Sequence, residues 1–234
     1  MYILLYNLLS IIGLTSCFCV LDTLLSICHY EGRYYLLHSL HNVAILTLSA
    51  PDIYHTLTDF PNLTSYSVNT LAASLCFSLH IYHILWYFKN LRFDDWLHHG
   101  LMIGFALPFG VLIEAHTLLG LSLFFTTGLP GAIDYFLLFL VRNYWLNRNT
   151  EKRINSWLAT WVRSPGCVAH ATITLVWLFS YRLQHIHILY SWETVYFIGG
   201  LLVAFLNYWN GQYFMNQVVT DYVQRKQEVL FNSV

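Results

Sequence analysis

The sequence predicts an all-α, polytopic membrane protein with about seven transmembrane helices in a bundle around a cavity at the inner leaflet. Of the 234 residues, 57% are hydrophobic and only 10% are charged, which is too apolar for a water-soluble domain of average composition. Each crossing needs roughly 20 mostly apolar residues, because lipid leaves every backbone polar group to be satisfied within the helix. The chain offers about seven such stretches, and its basic residues alternate between the loops that join them.

The predicted spans follow one another along the chain. They cover residues 2–28, 36–55, 68–88, 96–114, 118–141, 166–183 and 194–218. The first is too long for a secretory signal and has no basic segment before it. The second is the least apolar, since it carries His38, His41 and Asp52, so its full crossing is left open. Pro108 and Pro130 are expected to bend the fourth and fifth spans.

Three regions result from this division. Residues 1–35 form a first transmembrane helix and an inner loop, 36–220 a six-helix transmembrane domain, and 221–234 a cytosolic tail. In the longest connection, residues 147–165, Trp157 and Trp161 are spaced i and i+4 beside basic residues. This pattern predicts an amphipathic helix that lies on the inner membrane surface.

The basic residues give the orientation. With the N-terminus outside or lumenal, ten of the eleven lie on the inner side, and only Arg182 lies outside. The ten are Arg33, Lys89, Arg92, Arg142, Arg148, Lys152, Arg153, Arg163, Arg225 and Lys226. The sequon at Asn62 falls in an outer loop without Lys or Arg, so Asn62 is a candidate glycosylation site. Both signals favour a cytosolic C-terminus.

The twelve histidines divide by the same boundary. Helix direction converts sequence position into depth at about 1.5 Å per residue. Eight histidines then lie toward the inner side, namely His29, His38, His41, His80, His83, His98, His99 and His170. The other four, His55, His116, His185 and His187, lie toward the outer side. A single such histidine is often bonded to a nearby carbonyl, but eight at one depth indicate a shared site.

The polar residues of the spans predict which faces line a cavity. His38 and His41 share one helix face, as do His80 and His83, because each pair is spaced i and i+3. Asp134 is a lone carboxylate in the fifth span, and an inner histidine or Arg142 is its expected partner. In the last span, Asn207 and Asn210 are expected to line the cavity or to bridge helices.

Two runs resemble the TLC-domain family, which includes the ceramide synthases. They are SLHIYHILWYFKN at 78–90 and DWLHHGLM at 95–102, in which a paired histidine opens a span after a Tyr-containing helix. The resemblance covers about residues 65–220 in layout and 80–102 in motif. It implies six or seven helices around a cavity for a lipid or an acyl chain.

In the ceramide synthases, the paired histidines serve acyl transfer from acyl-CoA, and the resemblance assigns that role to His98 and His99. The His-Asp-x-x-Asp motif of those enzymes is not found here, because residues 124–134 read FFTTGLPGAID with one acidic residue, Asp134. The chain is therefore more similar to the small family members linked to membrane lipid composition. The hypothesis is that His98 or His99 acts as base or nucleophile with Asp134 as its charge partner, and that acyl-CoA is the co-substrate.

Two alternatives stay open. The same cavity serves a non-catalytic lipid-binding, trafficking or membrane-organising protein equally well. A membrane metalloenzyme is the third class, because clustered imidazoles bind iron or zinc. No His-x-x-His-His box occurs, however, so no metal is assigned from the sequence.

The expected partner is membrane lipid, and a homo-oligomer is compatible with the sequence. The net charge of −1 gives no indication of a nucleic-acid partner. An internal membrane, such as the endoplasmic reticulum, is favoured over the plasma membrane by analogy with the family.

Overall fold

The computed structural model describes residues 2–113, 115–182 and 192–231, and helices form nearly all of this part of the chain, with no strand in it. This confirms the all-α class. The predicted outer histidines His185 and His187 lie outside the described residues. The helices are α1 Tyr2–Ile27, α2 Arg33–Thr58, α3 Thr70–Tyr87, α4 Phe93–Leu101, α5 Leu107–Leu112, α6 Thr117–Leu123, α7 Leu129–Arg142, α8 Arg148–Leu158, α9 Ser164–Trp177 and α10 Trp192–Phe231.

Three helical segments of the described chain are long and apolar enough to cross a membrane: Tyr6–Ile27, Thr70–Asn90 and Thr117–Arg142. They give the chain the character of an integral membrane protein. Helices also occupy the other four predicted spans, and α2 continues through Pro51 to a length of 26 residues. That all seven cross the membrane stays a prediction.

Short π-helical segments join pairs of helices without a break. They are Met102–Ala106 between α4 and α5, Phe124–Gly128 between α6 and α7, and Ala159–Arg163 between α8 and α9. A proline follows each at the second position of the next helix: Pro108, Pro130 and Pro165. A proline has no N–H and clashes with the carbonyl four residues earlier, and the wider π turn relieves both problems.

The predicted surface helix at 147–165 is present as α8. Trp157 and Trp161 are exposed while Asn155 and Leu158 are buried, so the segment is amphipathic as expected. It does not end before the next predicted span, because a π segment carries it directly into α9. Its position on the membrane surface stays a prediction.

Helix α2 lies at the centre of the packing through small and polar contacts. The Ser39 hydroxyl donates to the Ala132 carbonyl of α7 over 2.9 Å, and Thr56 bonds Thr117 of α6 over 3.0 Å. Gly120 of α6 packs so closely on Asp52 that a Cβ there would overlap that side chain. These contacts to other helices, together with bonds that α2 hydroxyls donate to carbonyls four residues earlier in α2, explain why the helix is polar yet buried.

The remaining helices pack around this centre. Helix α1 packs on α3, where the Phe18 and Tyr82 rings lie 5.7 Å apart and the Ser78 hydroxyl donates to the Ile11 carbonyl. The turn before α2 uses Gly32 at φ +66°, and the Arg142 side chain packs 2.9 Å from where a Cβ would stand. Two apolar clusters result, one between α1, α2 and α3 and one between α6, α9 and α10.

Basic residues from distant parts of the sequence meet carboxylates at one end of the bundle. Arg33 bonds the buried Asp22 over 3.0 Å, and Lys152 of α8 pairs with Asp221 of α10. Asp22 also accepts from the Tyr87 hydroxyl. These ion pairs hold the ends of α1, α2, α3, α8 and α10 together.

Candidate functional site

One cavity of about 410 Å³ runs between the helices. All nine side chains predicted from the sequence as catalytic or cavity-lining residues contribute to its wall. They are His38, His41, His80, His83, His98, His99, Asp134, Asn207 and Asn210. Their chemical roles stay predictions, but the structure brings them together from five helices.

The imidazoles of three helices converge. His38 of α2 stacks on His83 of α3 with 4.3 Å between ring centroids. His80 of α3 lies 5.3 Å from His98 and 5.2 Å from His99 of α4, and His83 lies 5.4 Å from His99. These contacts between α2, α3 and α4 join five rings into one continuous group. We call it the histidine cluster: His38, His80, His83, His98 and His99.

Local hydrogen bonds fix the protonation of two of these rings. Nδ1 of His80 donates to the Cys76 carbonyl over 2.7 Å, and Nδ1 of His38 donates to the Tyr34 carbonyl over 2.7 Å. A carbonyl only accepts, so in the neutral ring the proton is on Nδ1 and Nε2 carries the lone pair. Both rings are buried and line the cavity, so helix backbone fixes the tautomer of two of its imidazoles and leaves each with an acceptor nitrogen.

Several ring nitrogens have no partner. Nε2 of His80, Nε2 of His83 and Nδ1 of His99 are buried and make no hydrogen bond with any described residue. Buried polar atoms are rarely left unpaired in folded proteins, and clusters of such atoms indicate a missing ligand, ion or water. This concentration of free lone pairs is the chemical signature of the site.

Asp134 lines the same cavity but is not bonded to a histidine. Its Oδ1 is buried without a hydrogen-bond partner among the described residues, and Arg163 is the cation with the largest electrostatic effect on it, followed by Lys152 and Arg148. The expected partner Arg142 lies elsewhere, with its guanidinium 5.7 Å from the Tyr35 ring centroid. Asp134 therefore faces an open space near a cation, not an imidazole that it could orient.

Some lining residues were not predicted from the sequence. Tyr135 stacks on His38 at 4.4 Å, and Tyr34 lies 4.0 Å from the same ring. The guanidinium groups of Arg92 and Arg163 also reach the cavity. Two had a usable signal: Tyr34 is spaced i, i+4 from His38 on α2, and Tyr135 is next to Asp134. The two arginines lie in a turn and in a π segment, which helical periodicity does not indicate.

Apolar side chains form a large share of the cavity wall. Leu107, Gly110, Ile113, Leu118 and Leu119 line it, from α5 and α6 and the turn between them. Four of these side chains are nearly inaccessible, as are their neighbours in the two apolar clusters. The cavity thus joins a polar, imidazole-rich region to a hydrocarbon-like region.

Asn207 and Asn210 contribute from α10. The Ser122 hydroxyl donates to Oδ1 of Asn207 over 2.9 Å, and the Asn207 amide donates to the Val203 carbonyl. Asn207 therefore both bridges α6 to α10 and faces the cavity. Asn210 lines the cavity without a hydrogen bond among the described residues.

The other inner-side histidines differ. His170 of α9 lines the cavity, where its Nε2 lies 3.3 Å from the Thr174 hydroxyl. His29 does not line it and lies in the turn between α1 and α2, with φ 58°. Seven of the eight histidines assigned to this depth thus surround one space.

Comparisons with protein-family models, with curated proteins and with solved structures found no match. The resemblance of residues 80–102 to the TLC-domain family thus rests on the sequence pattern alone. The function has to be argued from the cavity.

Proposed function

We propose that this protein binds one membrane lipid. An acyl chain occupies the apolar part of the cavity, and the polar head group meets the histidine cluster. One observation carries this proposal: a single cavity is lined by apolar side chains, many of them from α5 and α6, and by imidazoles, most of them from α2, α3 and α4. A lipid is the ligand with that division along its length.

The size of the cavity supports this assignment. Its volume of about 410 Å³ lies within the range of roughly 300–1,000 Å³ that small-molecule sites occupy. Such sites bind most of a ligand by apolar contact and orient it with a few polar groups. Here Leu107, Leu118 and Leu119 supply apolar contact, and the unpaired nitrogens of His83 and His99 supply the polar contact.

The polar region favours a head group that accepts hydrogen bonds, because two arginines line it beside two carboxylates, Asp95 and Asp134. Arg92 and Arg163 line the cavity, and Arg163 is the cation that acts most strongly on Asp134. A guanidinium binds carboxylate and phosphate oxygens in fixed geometry. The resemblance to the TLC-domain family supports a sphingolipid or another acyl-chain lipid, and an internal membrane such as the endoplasmic reticulum.

Lipid binding has more support than acyl transfer. Imidazoles that act in acyl transfer are commonly oriented by a carboxylate through a hydrogen bond. Asp134 makes no hydrogen bond with His98 or His99 among the described residues. The hypothesis of a catalytic His98 or His99 with acyl-CoA as co-substrate stays a prediction, while a bound lipid needs no such pair.

The site is proposed to open toward the cytosolic leaflet. This follows from the positive-inside rule applied to the ten basic residues, several of which meet at one end of the bundle. Arg92 and Arg163 belong to this set and also line the cavity.

The test is to fill the apolar part of the cavity. Ala106 lines it, so Ala106→Phe places a ring where the acyl chain would lie. Leu112→Phe is the matched control, since Leu112 lies in α5, which directly follows Ala106, and is exposed without lining the cavity. Each protein is purified in a mild detergent, and the lipid bound per protein is measured by mass spectrometry.

We expect wild type and Leu112→Phe to retain the same lipid, and Ala106→Phe to retain about tenfold less, since 1.4 kcal/mol of lost contact corresponds to that factor. Equal lipid in all three proteins, or a lipid content no different from the detergent-micelle background, overturns the proposal. Size-exclusion profiles that match the wild type show that a variant is folded.

A further inference from the structure

A tighter group lies within the histidine cluster. His80 of α3 and the adjacent pair His98 and His99 of α4 each offer one ring nitrogen, and these three atoms lie within 4.8 Å of one another. We propose that these three imidazoles bind a divalent first-row transition metal ion, with zinc the best fit. This inference goes beyond lipid binding and does not depend on it.

The ring separations fit a tetrahedral centre. With a metal–nitrogen bond of about 2.1 Å, an imidazole centroid lies about 3.2 Å from the metal, and two tetrahedral ligands have centroids about 5.2 Å apart. The observed separations are 5.3 Å for His80 and His98, 5.2 Å for His80 and His99, and 5.5 Å for His98 and His99. All three pairs therefore have the spacing of rings that share one ion.

The nitrogens need only a local adjustment. Two nitrogens bound to one tetrahedral ion lie about 3.4 Å apart, against the present limit of 4.8 Å. Rotation of the His98 and His99 rings about their Cβ–Cγ bonds turns ring nitrogens toward His80, and each centroid moves little because that bond points through the ring. The spacing of the three centroids is then kept, so the adjustment requires no shift of a helix.

Backbone orients His80 as it does in known metal sites. Metal-bound histidines almost always donate their other ring N–H to a carbonyl or a carboxylate, which fixes the tautomer and raises the basicity of the ligand. Nδ1 of His80 donates to the Cys76 carbonyl over 2.7 Å, and its Nε2 is buried without a partner among the described residues. A lone pair held in this way is ready for a metal.

The other two ligands add a second free lone pair and access. Nδ1 of His99 is also buried without a partner among the described residues. His98 is exposed and lines the cavity, so an ion can enter from that side. Three protein ligands leave the fourth tetrahedral position open, as in catalytic zinc sites, for water or an oxygen of a bound head group.

The charges around the group are balanced. The carboxylate of Asp95, one turn before the pair on α4, acts electrostatically on both His98 and His99. Arg163 acts on His98 with the opposite sign. Asp134 lines the same cavity with a free carboxylate oxygen and offsets Arg163. The surroundings thus add no net positive charge to oppose a divalent ion.

Sequence patterns do not show this site because its ligands are divided between two helices. The familiar histidine boxes place their ligands within one short run. Here His80 lies 18 residues before His98. Only the packing of α3 against the start of α4 brings the three ligands together.

The test measures metal directly. The protein is purified from membranes with an affinity tag that contains no histidine, exposed to Zn²⁺, freed of excess ion by gel filtration, and analysed by inductively coupled plasma mass spectrometry. We expect about one zinc per chain, and we expect His98→Ala and His80→Ala to lower zinc affinity by at least the roughly 10–100-fold that loss of an outer-shell partner costs. Replacing zinc by Co²⁺ should give the visible absorption of tetrahedral cobalt.

Matched variants keep the test decisive. Like His80, His38 is buried, lines the cavity and donates from Nδ1 to a helix carbonyl, but it is not one of the proposed ligands. His38→Ala should therefore leave zinc at the wild-type level. His98 is exposed, so His98→Ala does not depend on core packing, and His98→Cys should restore zinc with a thiolate-to-cobalt band. Wild-type protein without zinc, or unchanged zinc in both ligand variants, overturns the proposal, whereas retention of lipid is measured separately and decides only the proposed function.

Discussion

The histidines at the two ends of the described bundle are held in different ways. At the end away from the cavity cluster, the His55 ring stacks on Tyr66 at 4.0 Å, and Nδ1 of His116 donates to the Tyr66 carbonyl over 3.1 Å. In the histidine cluster, Nε2 atoms of His80 and His83 are buried without partners in the described chain. His55 and His116 thus contact the loop that contains Tyr66, whereas His80 and His83 line the cavity.

This difference shows which property marks a site. The number of histidines does not, since more than one described histidine lies at each end. What distinguishes the cluster is the combination of convergence from three helices, burial, and lone pairs that no described neighbour uses. Polar groups arranged in this way are costly unless a ligand satisfies them.

The largest expected effect is the difference in bound lipid between two double variants, one with histidines replaced at the cluster and one with histidines replaced at the other end. Replacing His98 and His99 together by Ala removes two polar contacts to the head group, so we expect about tenfold less co-purifying lipid, equivalent to 1.4 kcal/mol. Replacing His55 and His116 together by Ala removes as many imidazoles from the other end and should leave the amount of lipid unchanged. Mass spectrometry of lipid per protein measures both.

The comparison fails if the two double variants lose lipid equally. It also fails if neither loses lipid. Far-UV circular dichroism of each variant serves as the folding control.

An intermediate effect is expected at the wall of the cavity. Gly131 of α7 lies against the Asn42 amide, and a Cβ at that position would overlap it. Asn42 in turn accepts from Thr127 over 2.8 Å and contacts Nδ1 of His41. Gly131→Ala should therefore destabilise the protein by about 1–3 kcal/mol, as overpacking does, and lower the apparent melting temperature in nanodiscs.

Gly13 of α1 is the matched control. An added Cβ there has no atom within 4 Å, so Gly13→Ala should leave the melting temperature unchanged or raise it through the better helix propensity of Ala. A Gly131→Ala protein as stable as Gly13→Ala would contradict the close packing of α2 on α7.

The smallest effect is expected in the loop near His55. The Asp59 carboxylate accepts from the Tyr66 hydroxyl and from the Asn62 amide, each over 2.7 Å, and these bonds lower the pKa of Asp59 below 3.8, its ordinary value. Because the folded pKa is the lower one, the stability from these bonds is present above the unfolded pKa and is lost as the pH falls through the folded pKa.

The measurement compares wild type with Asp59→Asn across this range. We expect the wild type to have a slightly higher melting temperature at neutral pH, and the difference to shrink as the pH falls below 3.8 and to disappear once the pH is below the lowered pKa of folded Asp59, where the wild-type carboxyl is also neutral. A difference that persists in acid would mean that the Asp59 charge does not stabilise the loop. Lipid retention should be the same in both proteins at neutral pH.

The sequence predicted what depends on composition and helical spacing. The all-α class follows from the apolar stretches, and the i, i+3 pairs His38/His41 and His80/His83 were expected to share a face toward a cavity, which they line. Both inferences use only local geometry, because neighbours on a helix face are fixed by 3.6 residues per turn.

What could not be predicted depends on neighbours distant in sequence. The partner of Asp134 is set by the approach of α8 and α9, so Arg163 acts on it and Arg142 turns to Tyr35. The metal-binding geometry of His80 with His98 depends on how α3 meets α4. The continuity of α8 into α9 depends on a π segment, for which the sequence offers only Pro165 as a clue.

The π segments have a consequence for how this chain tolerates length changes. A π turn holds one more residue than an α turn within about the same rotation, so it takes up an extra residue without changing the direction of the helices on either side. Deleting Ile103 would therefore let 102–106 close into an ordinary α turn and leave the direction of His98 and His99 relative to α5 nearly unchanged. A deletion within regular α-helix would instead rotate the preceding residues by about 100°, so the π segments are the positions at which this bundle tolerates the loss of one residue.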